Sequence, residues 1–248
     1  MKYSWIPDVL DFRDLKFTPK AEILNVLPAK VDLRSKFSIV YNQGELGSCT
    51  ANAIVLGFDF TRIKEGLPPI FSSRLFLYYN ERDMEGTTGE DSGAMIRDGM
   101  KSLSNIGVCT EKLWDYNLLS FTKKPPNVCY TEAQNHKVEQ YNRLDNSNLS
   151  ELKSCLAEEF TFVFGFAVYS SFESDVVAKT GKVPYPSKLE KLLGGHAVLA
   201  VGYDDDIQCF IVRNSWGIGW GDKGHFYMPY SYITNINLAD DFWTIKVN

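Results

Sequence analysis

Histidine is scarce in this 248-residue sequence, with three in all, and the five cysteines are scattered at positions 49, 109, 129, 155 and 209. None of them forms the short-spaced pairs of a structural metal site or the dense framework of a disulfide scaffold, so neither is expected, and no metal or other cofactor is called for. An odd cysteine count also leaves at least one thiol without an internal partner. Clustered positive charge is missing: the net charge is -5, and Lys123-Lys124 is the one tight basic pair near aromatics. That excludes a phosphate-binding surface of the kind nucleic-acid partners need. No apolar run approaches the length of a membrane span, and residues 1–14 carry acids and a proline where a secretory signal needs an apolar core. No membrane partner is expected. The compartment stays open, with an intracellular or packaged chain as the expectation. Repeats and low-complexity tracts are lacking too, and the composition, 44% hydrophobic and 23% charged, is that of a globular protein.

What is present is organised from the amino terminus onward. Residues 1–28 hold Pro7, Pro19 and Pro28 between charged residues and short apolar runs, the pattern of an extended arm rather than a helix. From Ser48 the period changes: Ala51, Ile54, Val55 and Phe58 share a helical face, Ser48 is placed to cap it, and Cys49 falls in the first turn. Further helices are predicted over residues 73–84, 94–105 and 149–160. Strands are predicted over 162–169, 197–203, 209–213, 225–228 and 242–247, rich in β-branched and aromatic residues. Helices first and strands later indicate an α+β fold. Its natural partition is the arm 1–28, a mainly helical subdomain 29–122 and a mainly β subdomain 123–248, with a cleft between the latter two.

Three segments carry chemistry. Gln43-Gly44-Glu45-Leu46-Gly47-Ser48-Cys49 delivers a thiol to a helix amino end, where unpaired amides and the helix dipole favour negative charge. A lowered thiol pKa is therefore expected at Cys49. Gly194-Gly195-His196-Ala197 opens an apolar strand with a histidine suited to proton transfer near neutrality. Asn214-Ser215-Trp216-Gly217-Ile218-Gly219-Trp220-Gly221 sets an amide beside two indoles, one able to orient an imidazole and the others able to shield that hydrogen bond from water. Taken singly, each also reads as ordinary structure: a buried cysteine, a bonded histidine, an aromatic corner.

Together the segments resemble the papain-like, cathepsin-type cysteine peptidases, with the GGHA run nearest the cathepsin B branch. The resemblance runs from about Leu27 to Asn248. It implies a papain-like fold with a helical and a β-barrel-like subdomain, and a cysteine endopeptidase acting on protein or peptide substrates through a thioester, without a cofactor. Cys49 is the implied nucleophile, His196 the general base and acid, Asn214 its orienting partner and Gln43, six residues before Cys49, an oxyanion donor. Trp216 and Trp220 are the implied aromatic shield and leaving-group side. Ser92, Gly93 and Gly195 are the implied substrate-backbone contacts, and Asp240, with Asp241 beside it, the floor of the pocket for the second substrate side chain, favouring a basic residue there. Departures include Thr50, where many members carry an aromatic residue, and the absence of thiols at Leu46 and in Glu90-Asp91-Ser92-Gly93. The arm reads either as a strap on the body or as a short inhibitory propeptide. A monomer is expected. A Cys/His acyltransferase and a non-enzymatic binding module of the same fold are the competing readings.

Overall fold

A computed structural model describes residues 3–37 and 39–247. The helix Cys49–Lys64 runs through the middle of the molecule and buries every residue from Cys49 to Arg62. The expectation of one apolar face is corrected here: a helix covered on all sides needs small and apolar residues all round. Gly57 is one such residue, since an added Cβ would lie 3.2 Å from the Leu199 side chain on the neighbouring sheet. Around this helix pack Arg74–Glu85 and Ile96–Asn105. Ser73 caps the former by accepting from the Phe76 amide, and Gly86 ends it with φ 72.

The second half supplies an antiparallel sheet. Its strands lie in the order Gln140–Arg143, Ala239–Lys246, Phe162–Tyr169, Leu192–Asp204, Cys209–Arg213, His225–Pro229, and Lys30–Asp32 also pairs with Leu192–Asp204. Among the described residues no pairing joins the outer strands, so the sheet is open rather than a closed barrel. One of its faces packs on the central helix through Ala197, Leu199, Val201 and Trp243. The other holds an aromatic cluster of Phe162, Phe164, Phe166, Phe172, Phe210 and Phe226 with Trp216 and Trp220. Alternation along the strands produces the two cores: Val198 and Ala200 face one, Ala197 and Leu199 the other.

Several elements depart from expectation. Residues 94–95 are not helical but form a short strand, Ala94–Met95, that pairs with Trp5–Ile6 of the arm in parallel. Within the extended arm, Ala21–Leu24 makes one helical turn. Asn127–Ala133 is a helix where the sequence Lys123-Lys124-Pro125-Pro126-Asn127 reads locally as a loop, and its Cys129 and Ala133 pack with the helical half, as does Val138. The boundary drawn after residue 122 therefore cuts through packed structure.

Candidate functional site

The site lies where the central helix meets the sheet. Cys49 is the first residue of its helix and is fully buried. Ser48 does not cap that helix with its side chain; its hydroxyl instead contacts Tyr116 Oη at 2.5 Å and accepts from Asn52 Nδ2 at 3.0 Å. Across from the helix, His196 lies on the strand Leu192–Asp204 and donates from Nε2 to Asn214 Oδ1 at 2.8 Å. The Ser215 amide donates to the same oxygen at 2.9 Å, which fixes the amide's orientation. Nδ1 of His196 is buried and has no hydrogen-bond partner among the described residues. Trp216 stacks on the imidazole, with ring centroids 5.0 Å apart and planes at 24°, and Trp220 stands edge-on behind Trp216 at 4.9 Å. Trp220 thus braces the shield rather than touching the histidine.

Gln43 is 1% exposed and held on three sides. Its amide nitrogen donates to Leu46 O at 3.0 Å, its side-chain oxygen accepts from Ser215 Oγ at 2.7 Å, and its backbone N–H donates to Ser215 O at 2.8 Å. Nε2 carries two N–H bonds and spends one on Leu46 O, which leaves the other as a donor in reserve.

The arm runs through this cleft. Tyr3 lies edge-on to both His196 and Trp216, at 6.1 and 6.0 Å, and donates to Glu173. Ser4 Oγ donates to Gly47 O at 2.7 Å and sits 3.7 Å from Cys49 Sγ. The Ala94 amide donates to Ser4 O, and Gly93, with φ 79, is the residue whose missing Cβ admits that carbonyl. Ser92 spends its hydroxyl within its own loop, on Gly93 O and Thr87. Trp5 lies on Gly165 and Gly195, either of which would collide with the indole if it carried a side chain. Its Nε1 donates to Asp241 Oδ2 at 3.0 Å.

Asp240 does not floor this pocket. Its side chain is 52% exposed and accepts from Arg143, whereas the Asp241 side chain is fully buried against Trp5. The reason is a bulge: pairing with Phe162–Tyr169 jumps from Val163↔Trp243 to Gly165↔Asp240, and Asp241 takes φ 59. One extra residue in the strand re-aims its neighbours, which plain alternation does not foresee.

Behind the pocket two arginines meet four carboxylates. Arg97 holds Asp14 through Nε and Nη2, and its backbone N–H donates to Asp8 Oδ1 at 3.0 Å. Arg143 reaches Asp240 at 2.7 Å and Asp241 at 3.1 Å, with Asp8 and Asp14 each 3.7 Å away. Trp243 donates to Asp8 Oδ2, and the Asp8 amide donates to Asp241. Burial raises the pKa of Asp8, and burial followed by the nearby Asp8 charge raises that of Asp241 to about 7.

The lowered thiol pKa expected at Cys49 is reversed in this closed state. Burial pushes the thiol up despite hydrogen bonds from Ala197 and Ser4, and burial brings His196 down to about 4 against the upward pull of Asn214. Burial disfavours the charged form of both groups. Sequence reasoning missed Ser4, Trp5, Asp8 and Glu173; the only trace of their role was a tryptophan among acids in a segment too polar to make its own core.

No group of three or more His, Cys, Asp or Glu among the described residues is arranged to hold a metal ion. Among the described residues no helix is long and apolar enough to cross a membrane.

Residues 27–244 match the papain family cysteine protease domain. An uncharacterized peptidase C1-like protein of Acanthamoeba polyphaga mimivirus is 47% identical over 213 residues, covering 83% of this chain and 68% of that protein. Cysteine proteinase 1 of Entamoeba histolytica is 28% identical over 81% of this chain and 63% of its own length. Xylellain, a cysteine protease from Xylella fastidiosa, superimposes with a TM-score of 0.94 at 47% identity, covering 99% of this chain and 96% of that one. A procathepsin B from Trypanosoma congolense shares the fold, with a TM-score of 0.79 at 17% identity. On its sequence and its architecture alike, the chain belongs to the papain family of cysteine peptidases and is a hydrolase.

Proposed function

We propose that Cys49 is the nucleophile of an endopeptidase restrained by its own amino-terminal arm. The observation that carries the reading is the pairing of His196 Nε2 with Asn214 Oδ1, which leaves the imidazole's other nitrogen unpartnered on the strand whose next residue, Ala197, meets the Cys49 thiol through its backbone. With Nε2 fixed as donor, Nδ1 is the basic nitrogen that takes the Cys49 proton and returns it to the leaving amine. The thiolate attacks the peptide carbonyl, the free N–H of Gln43 and the Cys49 amide receive the oxyanion, and water hydrolyses the thioester with His196 as base.

The arm suits an inhibitor rather than a substrate. A serine hydroxyl, not a carbonyl carbon, faces the thiol, and the Ser4 carbonyl is taken by the Ala94 amide instead of the oxyanion donors. Trp5 meanwhile fills the cleft's side-chain pocket. Once the arm leaves, Asp241 is the carboxylate at the base of that pocket, and it favours a P2 side chain with a hydrogen-bond donor, Arg or Lys foremost. Ser92, Gly93 and Gly195 line the path of the substrate backbone.

Turnover of fluorogenic peptides with Arg or Phe at P2 tests the reading, with and without a reducing thiol and with Cys49→Ala as control. Thiol-dependent cleavage, faster with Arg and absent in Cys49→Ala, is the expected outcome. Cleavage that survives thiol alkylation contradicts the mechanism, and equal turnover of the two peptides contradicts the P2 preference.

A further inference from the structure

Several arginines enclosed in this fold are answered by oxygen. Arg97 and Arg143 meet carboxylates, Arg74 holds Glu111, and Arg82 donates to the carbonyls of Tyr78, Thr88, Glu90 and Phe121. Arg213, the last residue of the strand Cys209–Arg213 and 3% exposed, is not. Among the described residues it forms no ion pair, and its one side-chain hydrogen bond runs from Nη1 to His225 Nε2 at 3.2 Å. The imidazole is a neutral acceptor there: its Nδ1 faces the carbonyls of Asp222 and Lys223 at 3.3 and 3.1 Å, so the ring proton sits on Nδ1. Arg213 Nε is buried with no acceptor among the described residues. The guanidinium lies over the Phe37 ring, 4.6 Å from its centre, and burial pulls its pKa down to about 10. A cation kept from water without a counter-charge disfavours the fold, and an anion supplied from outside relieves it.

Arg213 lines a pocket of about 520 Å³ together with Arg34, Phe37, Lys223, His225 and the exposed Ile39 and Ile218. The one carboxylate in its wall, Asp222, is already taken: it accepts from Arg34 Nη1 at 2.9 Å and from Tyr227 Oη at 2.5 Å, and Asp32 closes on Arg34 as well. Lys223 is exposed and forms no ion pair among the described residues. Arg213 and Lys223 are therefore two unmatched cations around one concave, partly apolar space. We propose that this pocket binds a small organic oxyanion, with its charged group on Arg213 and Lys223 and its apolar body against Phe37, Ile39 and Ile218. A guanidinium fork takes two oxygens of a carboxylate or a phosphate in parallel, and the Nε–Nη2 edge is the one that Arg213 has free. The volume is that of a site for a ligand well beyond a bare inorganic ion.

The pocket is distinct from the cleft. None of its lining residues belongs to the arm or is Cys49 or His196, so the docked arm leaves it open. The two are joined through the backbone: Arg213 directly precedes Asn214, the Asn214 amide donates to Gly224 O at 3.0 Å, and the Gly224 amide donates to Trp220 O at 2.7 Å. Asp222 and Lys223 lie in the short loop between those last two residues. An anion shared by Arg213 and Lys223 ties the strand end to this loop and steadies both, whatever reaction the cleft performs.

The full chain is titrated with phenyl phosphate, benzoate and inorganic phosphate at constant ionic strength, and followed by thermal unfolding and by the arginine Nε–H signals of a nitrogen–proton correlation spectrum. Arg213→Lys, which keeps the charge but loses the fork, identifies the Arg213 signal. The expected result is saturable binding of an organic probe at a single site, tighter than that of inorganic phosphate, with the Arg213 Nε–H signal moving at the same midpoint. At about a hundred times Kd the unfolding midpoint is higher by several degrees. The tighter of the two organic probes tells phosphate from carboxylate. Arg213→Lys and Lys223→Glu are each expected to weaken binding about tenfold, and Lys223→Glu, on the surface, keeps the test decisive if the buried substitution folds poorly. No saturation by either organic probe, saturation that leaves the Arg213 signal unmoved, inorganic phosphate binding as tightly as the better organic probe, or unchanged binding in Lys223→Glu overturns the proposal. None of these readouts depends on peptidase activity.

Discussion

The arm and the body are held by opposite means. In the body, the core is made by phenylalanines and aliphatic residues: Phe162, Phe164, Phe166 and Phe210 are all fully enclosed. Along the arm the order is inverted. Val9, Leu10, Phe12 and Leu15 are exposed, Phe12 at 92%, while the Asp8 and Asp14 side chains are almost completely buried against arginines. Trp5 is the arm's main apolar anchor in the cleft. Burying paired charges yields little net stability because desolvation offsets most of the attraction, yet removing one partner is costly. Such a contact suits the releasable plug proposed above.

The largest expected effect lies in the body: Cys49→Ala lowers peptide turnover on the order of a millionfold, as for a lost nucleophile in a cooperating set. Gln43→Ala follows, with kcat reduced roughly 10²- to 10³-fold if its side chain donates to the oxyanion. Both variants keep the arm docked, so circular dichroism and unfolding midpoints stay near those of the parent. Trp5→Ala acts in the other direction. Loss of a large, partly buried ring costs about 3 kcal/mol, which corresponds to roughly hundredfold easier opening and a matching rise in the rate at which an active-site inhibitor labels Cys49. Asp14→Ala, which strands Arg97, is expected to raise that rate about tenfold or more.

The smallest effect is one of pH, and its sign can be worked out. Opening restores water to Cys49 and His196 and allows a proton to pass from the thiol to the imidazole, with no net release. The Asp8 and Asp241 carboxyls are different: both are raised in the closed state, Asp241 to about 7, by burial among Trp5, Asp14, Asp240, Arg97 and Arg143. Closure therefore takes up protons. The docked arm is favoured below that value and loosens as pH rises through it. The ratio of labelling rates for the parent and Trp5→Ala is expected to rise severalfold from pH 5.5 to 8, and a ratio that stays flat or falls breaks this part of the account.

The chemistry of the site was more legible than its state. Cys49, His196 and Asn214 stood out through their glycine-rich surroundings and Gln43 through its spacing from Cys49, and it was their combination, in the family resemblance, that suggested the roles proposed for them. Strands such as Cys209–Arg213 followed directly from local composition. What escaped depended on contacts distant in sequence. Burial pushes the Cys49 thiol up, against the direction that the local helix dipole favours. The choice between Asp240 and Asp241 turns on a bulge defined by the partner strand. Ser48 follows Tyr116 rather than its own helix, and the helix Asn127–Ala133 lies behind prolines that read as loop.

The most direct test of the central claim compares the rate at which an epoxysuccinyl inhibitor labels Cys49, by intact mass under reducing conditions, in the parent chain and in the same chain carrying Trp5→Ala and Asp14→Ala. Single labelling in both, abolished by Cys49→Ala and at least tenfold faster in the doubly substituted chain, is the predicted result. Equal rates would contradict an arm that guards the nucleophile, and an absence of labelling in both would contradict the nucleophile itself.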